Sequence, residues 1–295
     1  MDFSEQIIEW YYKNKRFLPW RNCSDTYKIW LSEIILQQTR VQQGLPYFNS
    51  FMQKYPTIEL LAKASENEVL KLWQGLGYYS RARNMHATAK EIAEKYNGVF
   101  PNDYKKILSL KGVGPYTAAA ICSFAYNLPY AVVDGNVMRV LSRFFGIRTP
   151  LDSSEGKKAF EQLAQELLIE EKAGENNQAI MEFGALQCKP NSPNCNLCPL
   201  VDSCFAFNNK MIAELPKKSK KLKIRKRYFE FFIIKNKDKI FIQKRKKGIW
   251  KGLYQFPLIE NIVKKSESTI EKSKEWKKLF AEPIKILKIS PIFKH

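Results

Sequence analysis

Four cysteines lie close together near residue 200 and have the spacing of a metal site. They follow the pattern C-x6-C-x2-C-x5-C, at Cys188, Cys195, Cys198 and Cys204. Tetrahedral zinc sites usually combine two C-x2-C pairs, whereas this segment has one short pair flanked by two single cysteines. The pattern therefore favours a [4Fe-4S] cluster. A zinc knuckle and a group of structural thiols are the alternatives that the spacing leaves open.

Two carboxylates elsewhere in the chain differ in the surroundings that the sequence predicts for them. Glu33 lies on a predicted helix between Trp30 and Gln37, beside an apolar stripe, so we expect its pKa to be raised. Asp134 follows an apolar run and precedes a predicted helix, which is the position of an N-cap in the positive end of the helix dipole. Such a pair can supply a neutral acid and a charged carboxylate to one reaction. A surface glutamate and an ordinary helix cap are the structural alternatives.

A glycine-containing segment between two predicted helices has the form of a phosphate clamp. Residues 110–117 read LKGVGPYT, which matches the helix-hairpin-helix pattern L-x-G-V-G-x-x-T. Gly112 and Gly114 permit a tight turn whose backbone N–H groups point outward at the start of the next helix, where a phosphate can bind without sequence reading. An ordinary turn between helices would look similar.

The elements that must position these residues are short helices over the first 214 residues. Apolar residues return at three- and four-residue spacing, between Ser, Thr, Asp or Asn starts and Gly or Pro stops. The predicted helices include residues 27–43, 69–73 and 82–96. After a basic linker at 217–223, residues 228–234 and 239–243 are typical of strands joined by a short polar turn. The pattern therefore predicts a second, partly β domain from about residue 224.

The formal net charge of +20 is concentrated in the last quarter of the chain. Residues 217–295 contain 25 Lys or Arg and 7 Asp or Glu, a net charge of +18, whereas residues 1–216 carry only +2. This distribution is typical of a surface that attracts nucleic-acid phosphates. A solvated, lysine-biased surface is the alternative.

The remaining composition favours a cytosolic protein. Residues 1–9 contain acidic side chains and lack the pattern of a signal peptide. The most apolar stretch, residues 118–133, is interrupted by polar residues and a proline, which argues against a membrane span. Cys23 and Cys122 lie outside the four-cysteine segment, and the absence of an obvious disulfide framework fits a reducing compartment.

Six motifs occur in the order found in one family of DNA-repair enzymes. They are residues 18–21 (LPWR), 30–39 (WLSEIILQQT), 75–84 (GLGYYSRARN), the hairpin at 110–117, 133–136 (VDGN) and the four-cysteine segment. With these motifs the chain resembles the adenine DNA glycosylases of the MutY type, within the endonuclease III (helix-hairpin-helix glycosylase) superfamily. The resemblance covers nearly all of residues 1–216.

The resemblance implies a mainly α, two-lobed glycosylase domain at residues 1–216. A six-helix barrel would be formed by about residues 25–130, and a cluster-bearing lobe by residues 1–24 plus 131–216. Residues 224–295 resemble the start of an α+β MutT-like (Nudix) domain, in which residues 248–257 match G-x-W-x-G-L-[WY]-x-F-P. Residues 290–295 resemble the approach to the lesion-contacting loop, so we expect either a fragment or a naturally truncated protein, with weakened discrimination for 8-oxoguanine.

The resemblance also implies an activity, the removal of adenine mispaired with 8-oxoguanine or guanine in duplex DNA. Glu33 would protonate adenine N7, and Asp134 would stabilise the sugar cation or attack it transiently. Tyr116 stands where related lyases have a Schiff-base lysine, which implies a monofunctional glycosylase. Lys111 departs from the family, because it replaces the usual proline of the hairpin.

Further site residues follow from the same motifs. Asn136 is expected, with Tyr116, among the catalytic residues, and the cluster is expected to be non-catalytic and to support DNA binding. The expected DNA- or base-contacting residues are Arg21, Gln37, Gln38, Tyr78, Gly112, Gly114 and Gln178. We expect a monomer in the bacterial cytoplasm, associated with the nucleoid. An endonuclease III-like pyrimidine glycosylase/lyase and an inactive DNA-binding protein are the alternative functions.

Overall fold

Short α-helices build the first of two units into which the chain divides, Met1–Lys221 and Leu222–His295. The computed structural model describes residues 2–21, 23–219, 225–246, 248 and 251–280. The helices of the first unit are α1 (Phe3–Asn14), α2 (Thr26–Leu36), α3 (Val41–Lys54), α4 (Ile58–Lys63), α5 (Glu66–Leu72), α6 (Ser80–Lys95), α7 (Tyr104–Ser109), α8 (Pro115–Tyr126), α9 (Gly135–Phe145), α10 (Ser154–Glu166), α11 (Ala173–Leu186) and α12 (Phe205–Asn208). Single 3₁₀ turns lie at Glu170–Lys172 and Cys195–Leu197.

Side-chain caps explain where many of these helices begin. Ser65 accepts a hydrogen bond from the Glu68 backbone N–H while the Glu68 carboxylate accepts one from the Ser65 backbone N–H, which forms a capping box at α5. Asp103 and Asp134 cap α7 and α9 in a similar way. The helices predicted at 69–73 and 82–96 correspond to α5 and α6 and are confirmed, with ends that differ by a few residues.

The single helix predicted at residues 27–43 is wrong. The chain forms α2 up to Leu36, turns, and begins α3 at Val41. Gln38 in the turn has a left-handed backbone with φ 55°, and the side chain of Arg81 donates to the carbonyls at the end of α2. Because the turn contains neither Gly nor Pro, its sequence carries no local stop signal.

Two hydrophobic cores hold the first unit together. One lies among α2 to α8 and includes the fully buried Trp30, Phe51 and Trp73. The other joins α1 to α9, α10 and α11, with Ile7 and Phe160 fully buried. The N-terminal helix therefore packs with elements that follow residue 131, and Val132 belongs to a small third cluster.

The second unit consists of three short antiparallel strand pairs and two short helices within the described residues. Its elements are β1 (Tyr228–Phe231), β2 (Lys235–Asn236), β3 (Lys239–Ile240), β4 (Gln243–Lys244), β5 (Tyr254–Gln255), β6 (Leu258–Asn261), α13 (Glu267–Glu271) and α14 (Lys274–Leu279). β1 pairs with β6, β2 with β3, and β4 with β5. The polar turn predicted after residue 234 is present, and it joins β2 to β3. The strand predicted at 228–234 is shorter than expected: it ends at Phe231 and pairs with β6, not with the next strand along the chain.

Residues 290–295, for which the sequence predicts the approach to a lesion-contacting loop, lie outside the described residues. Within the described residues, no helix combines the length and the apolar character needed to cross a membrane.

Candidate active site

Three side chains from separate elements of the first unit meet at one place. Glu33 projects from α2, Tyr116 lies in the first turn of α8, and Asp134 is the N-cap of α9. The Tyr116 hydroxyl donates a hydrogen bond to the Glu33 carboxyl, and the charge of Asp134 acts on both groups. The structure therefore brings the two carboxylates singled out in the sequence into one electrostatic environment.

Glu33 is buried, with 8% of its surface exposed. Burial raises its pKa from 4.5 to about 7, and the nearby charge of Asp134 adds to the rise. The hydrogen bond from Tyr116 and the positive charge of Arg21 act in the opposite direction but do not cancel it. Burial and the same two carboxylates also raise the pKa of Tyr116 well above 10, so this phenol remains a hydrogen-bond donor. Glu33 is therefore a proton-carrying acid below about neutral pH.

Asp134 is the N-cap of α9, as predicted, and both of its oxygens are held. Oδ1 accepts hydrogen bonds from the backbone N–H groups of Asn136 and Val137, each at 2.8 Å. Oδ2 accepts from the Asn136 side-chain amide at 2.7 Å. The helix dipole favours a negative charge at this position. Asn136 thus lies beside the carboxylates and fixes the orientation of one of them.

The segment that leads to Asp134 is anchored by Asn177 of α11, which the sequence reasoning missed. The Asn177 side chain accepts from the Val132 backbone N–H at 2.9 Å and donates to the Tyr130 carbonyl at 2.8 Å. Asn177 is buried, and its partners lie 45 and 47 residues away. A single asparagine within a helix gives no sequence signal for such a role.

A buried ion pair next to this centre involves Arg21 and a second missed residue, Glu182. Glu182 is 1% exposed and accepts hydrogen bonds from Arg21 Nη2 at 2.7 Å and from the Arg16 guanidinium at 2.6 and 2.8 Å. Burial alone would raise the pKa of Glu182, but the hydrogen bonds from Arg16 and Arg21 outweigh it and lower the pKa to about 2. Glu182 is therefore a permanent anion that holds Arg21 in place.

Gln178 lies on α11 one turn before Glu182. Its side-chain oxygen accepts a hydrogen bond from the Tyr11 hydroxyl at 2.8 Å, and the Arg21 guanidinium stands 5.7 Å from the centre of the Tyr11 ring. Gln178 and Arg21 are therefore neighbours through Tyr11. The sequence identified Gln178 and Arg21 as separate candidates, and in the structure both belong to one polar cluster around Tyr11.

Gln37, Gln38 and Tyr78 occupy two turns at the edge of the same lobe. The Gln37 side-chain amide donates to Thr117 Oγ1 at 3.3 Å, which links the end of α2 to the start of α8. Gln38 and Tyr78 are exposed, and both have left-handed backbones, with φ 55° and 47°. Tyr78 is 63% exposed, so its ring is available to a partner.

The turn between α7 and α8 has the predicted helix-hairpin-helix form. Gly112 adopts φ 81°, and a Cβ there would approach Asn84 Cβ to 2.7 Å, so the turn requires glycine. Gly114 is the N-cap of α8, where it leaves the first backbone N–H groups of that helix without a side-chain cap. Lys111, three residues earlier in the chain, is exposed. Free N–H groups at a helix N-terminus can bind a phosphate, so the turn fits the predicted phosphate clamp.

The four-cysteine segment lies against α9. Burial raises the pKa of Cys195, Cys198 and Cys204, and each of these thiols also feels the charge of Cys188. Among the described residues, no three His, Cys, Asp or Glu side chains are placed to hold one metal ion. A four-iron cluster does not require that closeness, because each cysteine binds a different iron.

Two arginines of α9 connect the cysteine segment to the rest of the lobe. Arg143 Nη1 lies 3.5 Å from Cys188 Sγ and donates to the Lys189 carbonyl at 2.7 Å. Arg139 donates to the Cys188 carbonyl at 2.8 Å and to the Asn136 side-chain oxygen at 2.8 Å. Since Asn136 also holds Asp134, a continuous set of hydrogen bonds runs from the first cysteine to a carboxylate of the centre.

Comparison with known proteins places these features among DNA-repair enzymes. Residues 31–168 match the family described as the HhH-GPD superfamily of base excision DNA repair proteins. An adenine DNA glycosylase of Buchnera aphidicola subsp. Baizongia pistaciae is 40% identical over 258 residues, covering 86% of this chain and 73% of that protein.

Two solved structures of enzymes that act on DNA are also similar to this chain. A thermostable thymine-DNA glycosylase is 31% identical with a TM-score of 0.65, covering 70% of this chain and 95% of that one. A trapped covalent intermediate of endonuclease III with DNA has a TM-score of 0.60 at 23% identity, covering 72% of this chain and 100% of that one. The second likeness shows a shared fold alone. The mainly helical helix-hairpin-helix fold is therefore confirmed.

Proposed function

This chain belongs to the adenine DNA glycosylase family, and from that premise we propose that Glu33, Tyr116 and Asp134 form its active site. Its activity is the hydrolytic release of adenine from DNA in base excision repair. The observation that carries the assignment is the pairing of a buried acid, whose pKa is raised to about 7, with a carboxylate held at a helix N-terminus.

Glu33 acts first, as the general acid. The departing adenine needs a proton on N7, because a purine anion is a poor leaving group. Glu33 keeps its proton below about pH 7, and Tyr116 orients the carboxyl by donating to one of its oxygens. The positive charge of Arg21 acts against that proton, and the ion pair with Glu182 holds the Arg21 guanidinium in place.

Asp134 acts on the sugar. Loss of adenine leaves an oxocarbenium-like deoxyribose, which a fixed negative charge stabilises. The two backbone N–H groups and the Asn136 amide hold Asp134 in one orientation, so little reorganisation is needed when the cation develops. Water then adds to the sugar, with the deprotonated Glu33 available as the base.

The substrate that we propose is duplex DNA with adenine opposite 8-oxoguanine or guanine, and the reaction ends at the abasic site. We expect strands to break only after alkali treatment, because the Tyr116 phenol cannot form the imine that a lyase requires. The measurement is gel analysis of labelled duplexes with and without alkali. Comparable breakage without alkali would contradict a monofunctional reaction.

The second candidate function is an endonuclease III-like glycosylase/lyase. Its support is the shared fold, whereas the hydrogen bond from Tyr116 to Glu33 places a phenol at the centre. Borohydride trapping separates the two, since only an imine between a lysine and the sugar gives a stable protein–DNA adduct. Trapping together with release of an oxidised pyrimidine would select the lyase.

A [4Fe-4S] cluster is the cofactor that we propose for Cys188, Cys195, Cys198 and Cys204. The support is a donor set made only of sulfur, with the Arg143 guanidinium close enough to offset the negative charge of thiolate ligands. Bound there, the cluster would hold the loop against α9 and support DNA binding. The proposed catalytic residues remain Glu33, Tyr116 and Asp134, and the cluster is expected to take no part in the reaction itself.

We expect Cys198→Ser to lose the iron and to bind DNA more weakly, because a ligand thiolate is removed. The matched control is Cys23→Ser, which changes a half-buried thiol outside the four-cysteine segment. Metal and sulfide analysis should give about four irons and four sulfides per wild-type chain. One zinc per chain without sulfide would contradict the cluster and favour a zinc knuckle.

The second unit is proposed as part of a Nudix-like domain that contacts the opposite strand. The support is the match of residues 248–257 to that domain's pattern, the antiparallel strand pairs and the net charge of +18 over residues 217–295. The preference for 8-oxoguanine over guanine opposite adenine is the property that this unit is expected to affect. Single-turnover rates on the two mispairs measure it.

A further inference from the structure

Arg81 is a buried arginine at the start of α6 whose guanidinium contacts two separate turns. Nη1 donates to three carbonyls at the end of α2, those of Ile34 (3.1 Å), Ile35 (2.8 Å) and Gln37 (2.6 Å). Nη2 lies 3.3 Å from Thr39 Oγ1 and 3.5 Å from the Leu76 carbonyl. One side chain therefore joins the turn after α2 to the turn before α6.

The contacts on the first side explain why α2 ends where it does. The last carbonyls of a helix have no partner within the helix, and a cation there is favoured by the helix dipole. Arg81 meets both needs with a single planar group. The chain then leaves the helical path at Gln37 and passes through the left-handed conformation of Gln38, whose side chain is exposed.

The contacts on the second side involve Tyr78. The Arg81 backbone N–H donates to the Tyr78 carbonyl at 2.9 Å. The guanidinium carbon stands 5.7 Å from the centre of the Tyr78 ring and 5.1 Å from that of the buried Trp73. The guanidinium thus packs between a core aromatic and an exposed one, and the exposed ring belongs to a residue with φ 47°.

Stability alone does not explain this arrangement. Non-glycine residues in left-handed conformations cost about 1–3 kcal/mol each and persist only when their surroundings fix them. Gln38 and Tyr78 are both of this kind, and both are exposed. Burial lowers the pKa of Arg81, and its Nε atom has no hydrogen-bond partner among the described residues. A buried cation thus holds two turns, each of which contains a residue with a strained backbone and an exposed side chain, and such strain is typical of a functional site.

We propose that Arg81 is a positioning residue for base extrusion. It fixes the turn of Gln37 and Gln38 and the turn of Tyr78 relative to each other, so that both enter the base stack together and fill the space that adenine leaves. The inference rests on the proposed function, in which adenine must leave the duplex before Glu33 can reach it. Arg81 acts through the two turns and does not touch the reacting atoms.

The informative variant is Arg81→Lys. A lysine keeps the positive charge near the end of α2, but it lacks the planar fork that reaches several carbonyls and Tyr78 together. Thr39→Val is the second variant, because it removes one acceptor of the guanidinium at nearly constant shape. The control is Leu61→Ala, which opens a cavity in the core of the same lobe and changes no hydrogen-bond partner of the Arg81 guanidinium.

Single-turnover adenine release is measured on two duplexes, one with adenine opposite guanine and one with adenine opposite an abasic analogue. Adenine without a pairing partner leaves the stack at lower cost. Arg81→Lys is expected to slow release from the paired duplex about 10-fold or more, and from the unpaired one less than about 3-fold. Thr39→Val should show the same selectivity to a smaller extent. Equal slowing on both duplexes, or the same selectivity in Leu61→Ala, would overturn the proposal.

A second readout reports extrusion without chemistry. In the Glu33→Gln background, 2-aminopurine at the target position fluoresces more strongly when it leaves the stack. Arg81→Lys should reduce this gain at saturating protein, and an unchanged gain would overturn the proposal. Adenine release by the wild-type chain tests the proposed function, whereas the fluorescence gain tests Arg81, so the two fail separately.

Discussion

Replacing Glu33 with glutamine is expected to abolish adenine release and, at the same time, to stabilise the folded protein at pH 8. General acids contribute about 10²–10⁴ to a rate, and Glu33 is the proton source in the proposed reaction, so a loss of about 10³-fold or more is expected. Glutamine has nearly the same shape and can still accept the hydrogen bond from Tyr116. The measurement is single-turnover release at saturating protein.

The stability gain follows from the raised pKa of Glu33. Since the pKa is about 7 in the folded protein and 4.5 ordinarily, the native state binds this proton more tightly than the unfolded chain does. The contribution of Glu33 to stability is fully present below about pH 4.5 and is lost as pH rises through about 7. Glutamine is neutral throughout, so Glu33→Gln should gain about 1–3 kcal/mol over wild type at pH 8 and little at pH 5.

The control for this pair of effects is Glu94→Gln, which changes an exposed glutamate of α6. It should alter neither the rate nor the pH dependence of unfolding. In the wild type, the rate of adenine release should fall as pH rises through about 7, because Glu33 then loses its proton. If the rate instead rises over this range, or if Glu33→Gln is less stable than the wild type at pH 8, Glu33 is not the general acid.

The parts of the site that depend on local sequence could be predicted from it. A cap acts on residues two or three positions ahead, so the residues next to Asp134 suffice to assign it to the start of α9. The glycine turn at residues 110–117 and the spacing of the four cysteines are local in the same sense. Their chemistry is contained in short windows of the chain.

The parts that depend on distant partners could not be predicted in this way. Glu182 becomes a fixed anion through arginines 161 and 166 residues away, and nothing near it in sequence marks that partnership. The predicted helix at 27–43 fails for the same reason, because Arg81 reaches across 44 residues to the Gln37 carbonyl. Helix propensity is a weak signal that such tertiary contacts override.

The proximity of the two carboxylates could be predicted from the sequence only in part. The sequence indicates an environment for each, but Glu33 and Asp134 lie about a hundred positions apart, and only the family resemblance suggested that they meet. Tyr116 supplies the physical link, since it hydrogen-bonds to Glu33 while responding to the charge of Asp134. The charge of Asp134 should therefore affect the titration of Glu33.

Asp134→Asn is expected to reduce adenine release by about 10³-fold or more while the protein remains folded. Asparagine caps helices about as well as aspartate, so its oxygen can keep the hydrogen bonds from the backbone N–H groups of Asn136 and Val137. The negative charge opposite the sugar cation is lost, and the new amide faces the Asn136 amide, whose hydrogen bond Oδ2 of Asp134 accepts in the wild type. Single-turnover rates and thermal unfolding measure the two effects separately.

The pH dependence of the residual activity identifies electrostatics as the cause. Asp134 contributes to the raised pKa of Glu33, so Asp134→Asn should lower that pKa and move the fall in rate to a pH below about 7. The loss of a helix cap alone should destabilise the protein without changing the pH at which the rate falls, and Ser153→Ala, which removes the N-cap side chain of α10, is the control for this effect. If the rate of Asp134→Asn falls at the same pH as that of the wild type, Asp134 does not act on Glu33, and the paired mechanism is wrong.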